Sequence, residues 1–308
     1  MLRSSVINKD QTDGVCPICG GTEITDFRFG LFRCNCEAVL NGAVWREGTD
    51  LLLESEWFDS GAFDPRSSFW TSTFEEWTCS RTQLRLVKAG LKEGRLLEVG
   101  VGHGALLSYM SRRGFSVEGC DMAEAICAHV ERTLGHKMHR GSLQSILGQQ
   151  EFDVIVMNHV LEHVSDPIDL LRAARRLLKR NGVLHIALPN IDSWEAHLSG
   201  WTGYQPYHLV YFNRVSVSTA LRESGLSPIS VATYEPFSGW FNTVVRSAIG
   251  RRNKTQGAGS SQPSVVVELP YRLISLLAGA ASWPLRKLQD SLNKGEELVV
   301  LARVSERV

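Results

Sequence analysis

The sequence predicts an α/β protein with a mostly parallel sheet, helices on both faces and a small cysteine-rich segment at its N-terminal end. Two observations predict this. Between residues 91 and 248, short apolar runs alternate with amphipathic stretches, the order typical of strands joined by crossover helices. Between residues 1 and 40, four of the seven cysteines lie in a short, glycine-containing stretch, which indicates a separate small unit.

The strands and helices follow from local patterns. The apolar runs predicted as strands are Arg95–Val99, Ser116–Asp121, Phe152–Met157 and Gly182–Leu188. The helices predicted between them are Gly104–Arg113, Ala123–Leu134 and Asp166–Lys179. The last helix has the clearest signals, because Asp166 suits the N-cap and Pro167 suits the first turn. Two further strands, Ser227–Thr233 and Glu297–Val304, are expected to pair antiparallel at a sheet edge.

Composition divides the chain into three regions. Residues 1–45 form the cysteine-rich, zinc-ribbon-like segment, residues 46–90 an aromatic-rich connection, and residues 91–308 the main domain. The main domain contains a helical insertion at about 250–293. Within it, residues 265–292 mix leucines with basic residues, so we expect this stretch to pack on the sheet or form a homodimer contact. Peripheral contact with a membrane is the alternative.

Bulk properties exclude some classes of protein. The 33 basic residues equal the 33 acidic residues, which argues against a nucleic-acid partner because nucleic acid usually meets a basic face. The first 14 residues have no apolar core, and no run approaches the roughly 20 apolar residues of a membrane span. We therefore expect a cytoplasmic protein, in which cysteines serve as thiols or metal ligands.

A glycine-rich loop follows the first predicted strand of the main domain. Gly100, Gly102 and Gly104 precede a helix, where glycine permits tight turns and close approach of a ligand. Asp121, at the end of the next strand, suits ribose hydroxyls. This pattern also fits a nicotinamide dinucleotide. Glu98 favours a cationic ligand such as S-adenosylmethionine, because its carboxylate would attract an ammonium or sulfonium group.

A second polar motif follows the strand Phe152–Met157. Asn158, His159, Glu162 and His163 come directly after it, and carboxyl ends of parallel strands line the ligand crevice of an open sheet. His163 is the first candidate general base because the ordinary pKa of histidine lies near neutrality; bracing of the next helix is its structural alternative. Glu162 is a weaker candidate. His208, within an aromatic segment, is the other strong one.

Together these motifs make the sequence resemble the class I S-adenosylmethionine-dependent methyltransferases of the ubiquinone-biosynthesis O-methyltransferase-like, type 12 kind. The resemblance covers about residues 80–245 and a final strand, ELVVLAR. It implies a Rossmann-like sheet of seven strands whose last strand is antiparallel. It also implies that Met122 lies beside the adenine and Asn158 near the methionine moiety. Ser142 stands where the family often has an acidic residue near the adenine amine.

The cysteine segment suits a structural metal site. Cys16 and Cys19 have the spacing of a zinc knuckle, and Cys34 and Cys36 follow as a C-x-C pair after fourteen intervening residues. Four thiolates suit tetrahedral Zn²⁺, and a short segment with little core needs such support to fold. An unmetallated reduced loop is the alternative. Similar cysteine modules precede the methyltransferase domain in family members that act on sugars.

These observations lead to a prediction of S-adenosylmethionine-dependent O-methylation. The expected acceptor is a sugar or a glycan or glycolipid precursor, and a small aromatic or quinone-like molecule is the alternative. Aromatic residues near His208 suit either acceptor, or pack as a hydrophobic lid. Two further alternatives stay open. One is an NAD-dependent oxidoreductase, and the other is a non-catalytic module that binds S-adenosylmethionine.

Overall fold

A computed structural model describes residues 15–41, 69–148, 151–205, 207–237, 239–250 and 277–305. Numbered along the chain, the strands of these residues are β1 (Ile24–Asp26), β2 (Phe32–Cys34), β3 (Val39–Leu40), β4 (Gly94–Val99), β5 (Phe115–Asp121), β6 (Lys137–Arg140), β7 (Phe152–Asn158), β8 (Leu178–Pro189), β9 (Val210–Tyr211), β10 (Leu226–Tyr234) and β11 (Glu297–Val304). The helices are α1 (Phe69–Lys88), α2 (Ala105–Ser111), α3 (Glu124–Leu134), α4 (Pro167–Leu177), α5 (Arg214–Glu223), α6 (Gly239–Gly250) and α7 (Trp283–Ser291).

Seven strands form the main sheet in the order β10-β11-β8-β7-β4-β5-β6. The five strands from β8 to β6 in this order run parallel. Strand β11 runs antiparallel to both of its neighbours, β8 and β10. The predicted α/β architecture with an antiparallel last strand is therefore confirmed. The carboxyl ends of β4, β5, β7 and β8 meet at one edge, where a crevice for ligands is expected.

The central strands are buried because both faces of the sheet are covered. Leu96 and Leu97, successive residues of β4, are both fully buried, and they belong to two different apolar clusters. Successive side chains of a strand point to opposite faces, so one cluster lies on each face. Such two-sided burial explains why β4, β7 and β8 read as continuous apolar runs in the sequence.

Helix α4 begins where the sequence predicts but ends earlier. Asp166 caps it by accepting a hydrogen bond from the Asp169 backbone N–H at 2.8 Å. The predicted end at Lys179 is wrong, because α4 ends at Leu177 and β8 begins at the next residue. The pairing of β7 with β8 shifts register just after Leu178. The Asn-Gly pair at 181–182, a pair typical of turns, thus lies within an irregular start of the strand.

The cysteine segment forms a second sheet with part of the main domain. Strands β1, β2, β3 and β9 pair antiparallel in that order. Strand β9 belongs to the segment that follows β8, so the small sheet is completed by residues far along the chain. Cys16, Ile18 and Leu40 pack into the same apolar cluster as β7 and β8.

Part of the helical insertion lies within the described residues. Helix α7 presents Trp283, Leu285 and Leu288 to solvent with 57%, 41% and 51% of their surface exposed. On its other side, the Gln289 side chain is fully buried and donates hydrogen bonds to the carboxylates of Glu195 and Glu235. Residues 251–276 of the predicted stretch lie outside the described residues. No helix among the described residues is long and apolar enough to span a membrane.

Candidate active site

The glycine loop joins β4 to α2 at the carboxyl edge of the sheet. Gly100, Gly102 and Gly104 have φ values of 71°, 55° and 84°, in the left-handed region that favours glycine. A Cβ atom added to Gly100 would lie 2.5 Å from Val160 Cγ2. Val160 belongs to the motif after β7, so the loop and this motif are in direct contact. Glycine at position 100 is required by both the backbone conformation and this close approach.

The Glu98 carboxylate is buried next to this loop. It is 5% exposed, and its Oε2 atom has no hydrogen-bond partner within the described parts of the chain. Burial first, and then the negative charge of Asp121, raise the pKa of Glu98 well above its ordinary value. A buried carboxylate oxygen without a partner is costly. A cationic group of a ligand would therefore be stabilised beside Glu98.

Asp121 lies at the end of β5 and faces the glycine loop. Its Oδ2 accepts a hydrogen bond from the Val101 N–H at 2.9 Å, and its Oδ1 accepts one from the Ala123 N–H at 3.0 Å. Burial raises the pKa of Asp121, and the backbone donors oppose this effect. Each oxygen keeps a lone pair that a ligand hydroxyl can use. The next residue, Met122, is 61% exposed, which leaves an apolar surface beside the carboxylate.

Two further residues of the expected cofactor site lie at the ends of neighbouring strands. Asn158 ends β7, and its Oδ1 is buried without a hydrogen-bond partner from the described residues. Ser142 follows β6 and precedes the buried Leu143. Glu98 and Asn158 therefore each supply an unpaired polar atom at this edge. The ammonium group of S-adenosylmethionine fits such a site chemically, because its N–H groups can donate to Glu98 Oε2 and to Asn158 Oδ1.

The motif after β7 forms a charged network. His159 has a φ of 54°, and its ring lies between two carboxylates, with Nδ1 3.3 Å from Glu162 Oε1 and Nε2 3.5 Å from Glu297 Oε1. Although burial lowers the pKa of His159, these two carboxylates raise it to about 10. Burial also opposes ionisation of Glu162, but the hydrogen bond from His159 and nearby imidazoles lower its pKa to about 2. Glu162 is thus an anion at neutral pH.

His163 and His208 come together beside Glu162. Their ring centroids are 4.7 Å apart, and His163 Nε2 lies 3.9 Å from Glu162 Oε1. His163 Nδ1 lies 3.3 Å from the Tyr207 carbonyl, and His208 Nδ1 lies 2.8 Å from the Gly203 carbonyl. These contacts assign the proton to Nδ1 in each ring and leave Nε2 free to accept. Burial lowers the pKa of His208 to about 4, so this ring is neutral.

The same three side chains could hold a metal ion. One ligand atom each from Glu162, His163 and His208 lie within 4.8 Å of one another. Two imidazoles and one carboxylate form a common metal-binding set, and both rings donate their other nitrogen to a carbonyl, as metal-bound histidines usually do. The three side chains were predicted separately as candidate bases. The sequence offered no sign that they form a metal-binding set, because His208 lies 45 residues beyond His163 and only the fold brings them together.

The aromatic segment after β8 packs mainly on itself. Trp201 and Tyr211 are 1% and 2% exposed, and Tyr204 packs edge-on against Trp201 with ring centroids 4.9 Å apart. Leu31 and Val39 of the cysteine segment share this cluster. Trp201 and Tyr211 are therefore packed as expected for a hydrophobic lid, and they are not exposed for contact with an acceptor.

The four cysteines of the N-terminal segment converge. Cys16, Cys19, Cys34 and Cys36 have their Sγ atoms within 4.8 Å of one another. The Ile18 N–H donates to Cys16 Sγ at 3.5 Å and the Gly21 N–H to Cys19 Sγ at 3.4 Å. The hydrogen bond between Cys16 and Cys36 lowers the pKa of Cys16 to about 5 and raises that of Cys36, so Cys16 is the thiolate of this pair and Cys36 is its donor. The arrangement fits a tetrahedral metal site.

The order of the seven strands, with its reversed last strand, defines the class I S-adenosylmethionine-dependent methyltransferase fold, and the glycine loop with Glu98 and Asp121 occupies the expected edge. A family model described as a methyltransferase domain matches residues 69–231. The chain belongs to this methyltransferase family.

Several curated relatives are ubiquinone biosynthesis O-methyltransferases. The one from Histophilus somni is 31% identical over 161 residues, which cover 47% of this chain and 62% of the relative. The one from Maricaulis maris is 32% identical over 174 residues, which cover 50% of this chain and 68% of the relative. The one from Pseudomonas aeruginosa strain LESB58 is 36% identical over 113 residues, 33% of this chain and 47% of the relative. The chain thus spans about half to two thirds of the length of these curated relatives.

Solved structures share the fold. The 1,6-didemethyltoxoflavin-N1-methyltransferase of Burkholderia thailandensis, with bound 1,6-didemethyltoxoflavin and S-adenosylhomocysteine, has a TM-score of 0.51 and 15% identity, over 92% of this chain and 100% of its own. A putative methyltransferase from Haloferax volcanii, in complex with the Trm112 activator, has a TM-score of 0.53 and 14% identity, over 81% of this chain and 98% of its own. At this identity the likeness supports the fold alone.

Proposed function

We propose that the protein is an O-methyltransferase that transfers the methyl group of S-adenosylmethionine to an acceptor hydroxyl. The observation that carries this proposal is the group of Glu162, His163 and His208 directly beside the glycine loop. A carboxylate and two imidazoles with free Nε2 atoms are suited to deprotonating a hydroxyl. Methylation of an already nucleophilic nitrogen needs no such group.

The cofactor is held by the edge residues described above. Glu98 binds the ammonium group, Asp121 the ribose hydroxyls, and Met122 packs on the adenine. Asn158 contacts the methionine moiety through its unpaired Oδ1. Gly100, Gly102, Gly104 and Ser142 line the remaining wall. The support for this placement of the cofactor is the buried Glu98 carboxylate, which would attract the cationic groups of S-adenosylmethionine.

The reaction is an in-line displacement at the sulfonium methyl. A new oxygen–carbon bond forms as the carbon–sulfur bond breaks, and the sulfur leaves as neutral S-adenosylhomocysteine. The acceptor proton passes to His163 Nε2 as the bond forms. Glu162 stabilises the resulting imidazolium, because an ionised carboxylate 3.9 Å away favours the charged ring. His208, neutral and packed edge-on against His163, positions the base.

The same residues would act differently with a divalent cation. Glu162, His163 and His208 would then hold the ion, and the cation would lower the pKa of a bound hydroxyl. Chelation separates the two mechanisms. If activity survives treatment with a chelator and gains nothing from added Mg²⁺, Mn²⁺ or Zn²⁺, His163 acts as the base. Loss of activity that Mg²⁺ or Mn²⁺ restores assigns the three residues as ligands, provided that metal analysis finds the proposed Zn²⁺ of the cysteine segment still bound.

The proposed acceptor is a sugar or a glycan or glycolipid precursor, in keeping with the cysteine segment that precedes the domain. A quinone-like or small aromatic hydroxyl is the second candidate, because curated relatives carry the name ubiquinone biosynthesis O-methyltransferase. We also propose that Cys16, Cys19, Cys34 and Cys36 hold a structural Zn²⁺.

The test combines binding and turnover. Isothermal titration should detect S-adenosylhomocysteine and no NADH; NADH binding would instead favour an oxidoreductase. Turnover is then followed with sugar-based and catechol-based acceptor panels, using His163→Ala and His208→Ala. We expect both variants to retain cofactor affinity and to lose about 100-fold or more in kcat. Cofactor binding with unchanged kcat in both variants would refute the proposed roles, and no turnover of any acceptor would favour the binding module.

A further inference from the structure

A basic pocket lies between α1, α7 and the edge strands β10 and β11, away from the cofactor loop. Its volume is about 280 Å³. Its charged and aromatic lining consists of Arg81, Arg85, Tyr234, Lys287 and Asp290. Three cations therefore face one carboxylate across a cavity open to solvent.

The two arginines of this pocket lack the partners that buried guanidinium groups usually have. Neither the Arg81 nor the Arg85 guanidinium group makes a hydrogen bond or an ion pair with any described residue. The Arg81 guanidinium lies over the Tyr234 ring, with Cζ 3.1 Å from the ring centroid. Burial lowers the pKa of both arginines, and the charge of Arg81 further lowers that of Arg85. Two adjacent, half-buried cations thus have no carboxylate in direct contact among the described residues, although Glu297 attracts both of them and Asp290 attracts Arg81 from further away. An anion placed between the two guanidinium groups would be stabilised.

The remaining charged groups around the pocket cancel only part of this positive charge, because the carboxylates Asp290 and Glu297 oppose three cations. Asp290 Oδ1 accepts the Glu235 backbone N–H at 2.7 Å, so one of its oxygens is engaged. Glu297 lies near Arg85 but contacts His159 at 3.5 Å. His185, beneath the pocket, is fully buried with both ring nitrogens unpaired among the described residues. Burial and the charge of Arg85 lower the pKa of His185 to about 3, so this ring is neutral.

The pocket adjoins the proposed acceptor site through a short series of contacts. Tyr234 pairs with Glu297 in the register of β10 and β11. Glu297 contacts His159, which contacts Glu162 at 3.3 Å. Tyr234, Glu297 and His159 thus lie at the same edge of the sheet, and an acceptor anchored in the pocket would reach His163 past the His159 side chain, which is 53% exposed. Guanidinium groups bind phosphate oxygens in a bidentate manner, and the volume suits a phosphoryl group rather than a whole nucleotide.

We propose that Arg81, Arg85 and Lys287 form a phosphate-binding subsite for a phosphorylated acceptor. This inference builds on the proposed methyl transfer, because the acceptor hydroxyl must reach His163 Nε2, which lies beside Glu162. Free inorganic phosphate and a phosphoryl group on the acceptor would bind this subsite through the same oxygens. The two arms of the experiment below distinguish these two ligands.

The first arm measures anion binding without any acceptor. Inorganic phosphate is titrated at constant ionic strength into the whole protein and into Arg81→Gln and Arg85→Gln. Arg132→Gln is the matched control, because Arg132 is exposed and bonds only its own helix through the Ala128 carbonyl. We expect each pocket variant to weaken phosphate binding at least tenfold, while the control and S-adenosylhomocysteine affinity stay unchanged. Absent phosphate binding, or equal binding by all variants, overturns the subsite.

The second arm compares a hydroxyl acceptor with its phosphorylated form. Wild type should show a KM at least tenfold lower for the phosphorylated form, and Arg85→Gln should remove this difference with kcat little changed. If the subsite binds free phosphate only, both acceptors will have equal KM values, and the acceptor part of the inference is wrong. Failure of methyl transfer itself is recognised separately, because the first arm does not depend on turnover.

Discussion

The buried carboxylate Glu98 should affect stability and cofactor binding in opposite directions. Its folded-state pKa is raised, so the wild-type protein loses stability as the pH rises above the unfolded value of about 4.3. Each pH unit costs up to about 1.4 kcal/mol, which sets a ceiling of about 4 kcal/mol at pH 7. Glu98→Gln removes this ionisation. We therefore expect the variant without cofactor to be about 1–4 kcal/mol more stable at pH 7.

Cofactor affinity should change the other way in Glu98→Gln. Loss of a charge-assisted hydrogen bond to the ammonium group costs about 1.5–3 kcal/mol, or roughly 10- to 150-fold in the dissociation constant of S-adenosylhomocysteine. Denaturant unfolding at pH 5.5 and pH 8 measures the stability change, which should grow with pH. Titration calorimetry measures the affinity. A variant that is less stable at both pH values, or that binds the cofactor as well as wild type, would refute the reasoning.

Glu118 on the neighbouring strand β5 is the matched control. Burial opposes its ionisation, but hydrogen bonds from Lys137 and Arg95 lower its pKa to about 2. Its contribution to stability is therefore present above about pH 4.3 and is lost as the pH falls towards 2. Glu118→Gln should destabilise the protein by about 1–2 kcal/mol at pH 7 once solvent screening is included. Cofactor affinity should not change, because Glu118 lies away from the loop edge.

Three further outcomes are expected. Cys16→Ser should lower the zinc content measured by mass spectrometry below one ion per chain and reduce thermal stability; an unchanged zinc content would contradict the metal site. Gly100→Ala should weaken cofactor binding, measured by titration calorimetry, at least tenfold, because the φ angle is positive and the new Cβ would lie 2.5 Å from Val160. Adding Val160→Ala removes the clash but not the strained φ angle, so it should recover only part of the affinity. Asp166→Ala should cost about 1 kcal/mol in denaturant unfolding through loss of the helix cap, and a neutral result would contradict the capping role.

The order of elements could be predicted from the sequence because each central strand is buried on both faces. Such strands appear as continuous apolar runs, and the glycine loop and Asp166 mark helix starts by local chemistry. The end of α4 could not be predicted in this way. Leu177 and Leu178 are both buried, so the apolar pattern continues across the boundary between helix and strand and carries no mark of it.

The site was only partly predictable because its parts come from distant segments. Asp121 and Asn158 each end a strand, and Glu98 lies one residue before the end of β4. Strand ends of a parallel sheet share one edge, so the placement of these residues followed from topology. His208 reaches Glu162 only through the fold of the segment after β8. The carboxylate of Glu297, which contacts His159, belongs to the last strand. The local sequence likewise gives no sign that Arg81 and Arg85 line one pocket beside β10.

The pairing of β3 with β9 bears on how this protein can be divided. Asn41 donates its backbone N–H to the Leu209 carbonyl and its side-chain amide to the His208 carbonyl. A truncation that starts at residue 69, where the family match begins, would leave β9 with a bare edge and remove both donors beside the imidazole. The cysteine segment therefore holds the backbone at His208 and Leu209 in place, and we expect a shortened protein to bind the cofactor yet methylate poorly.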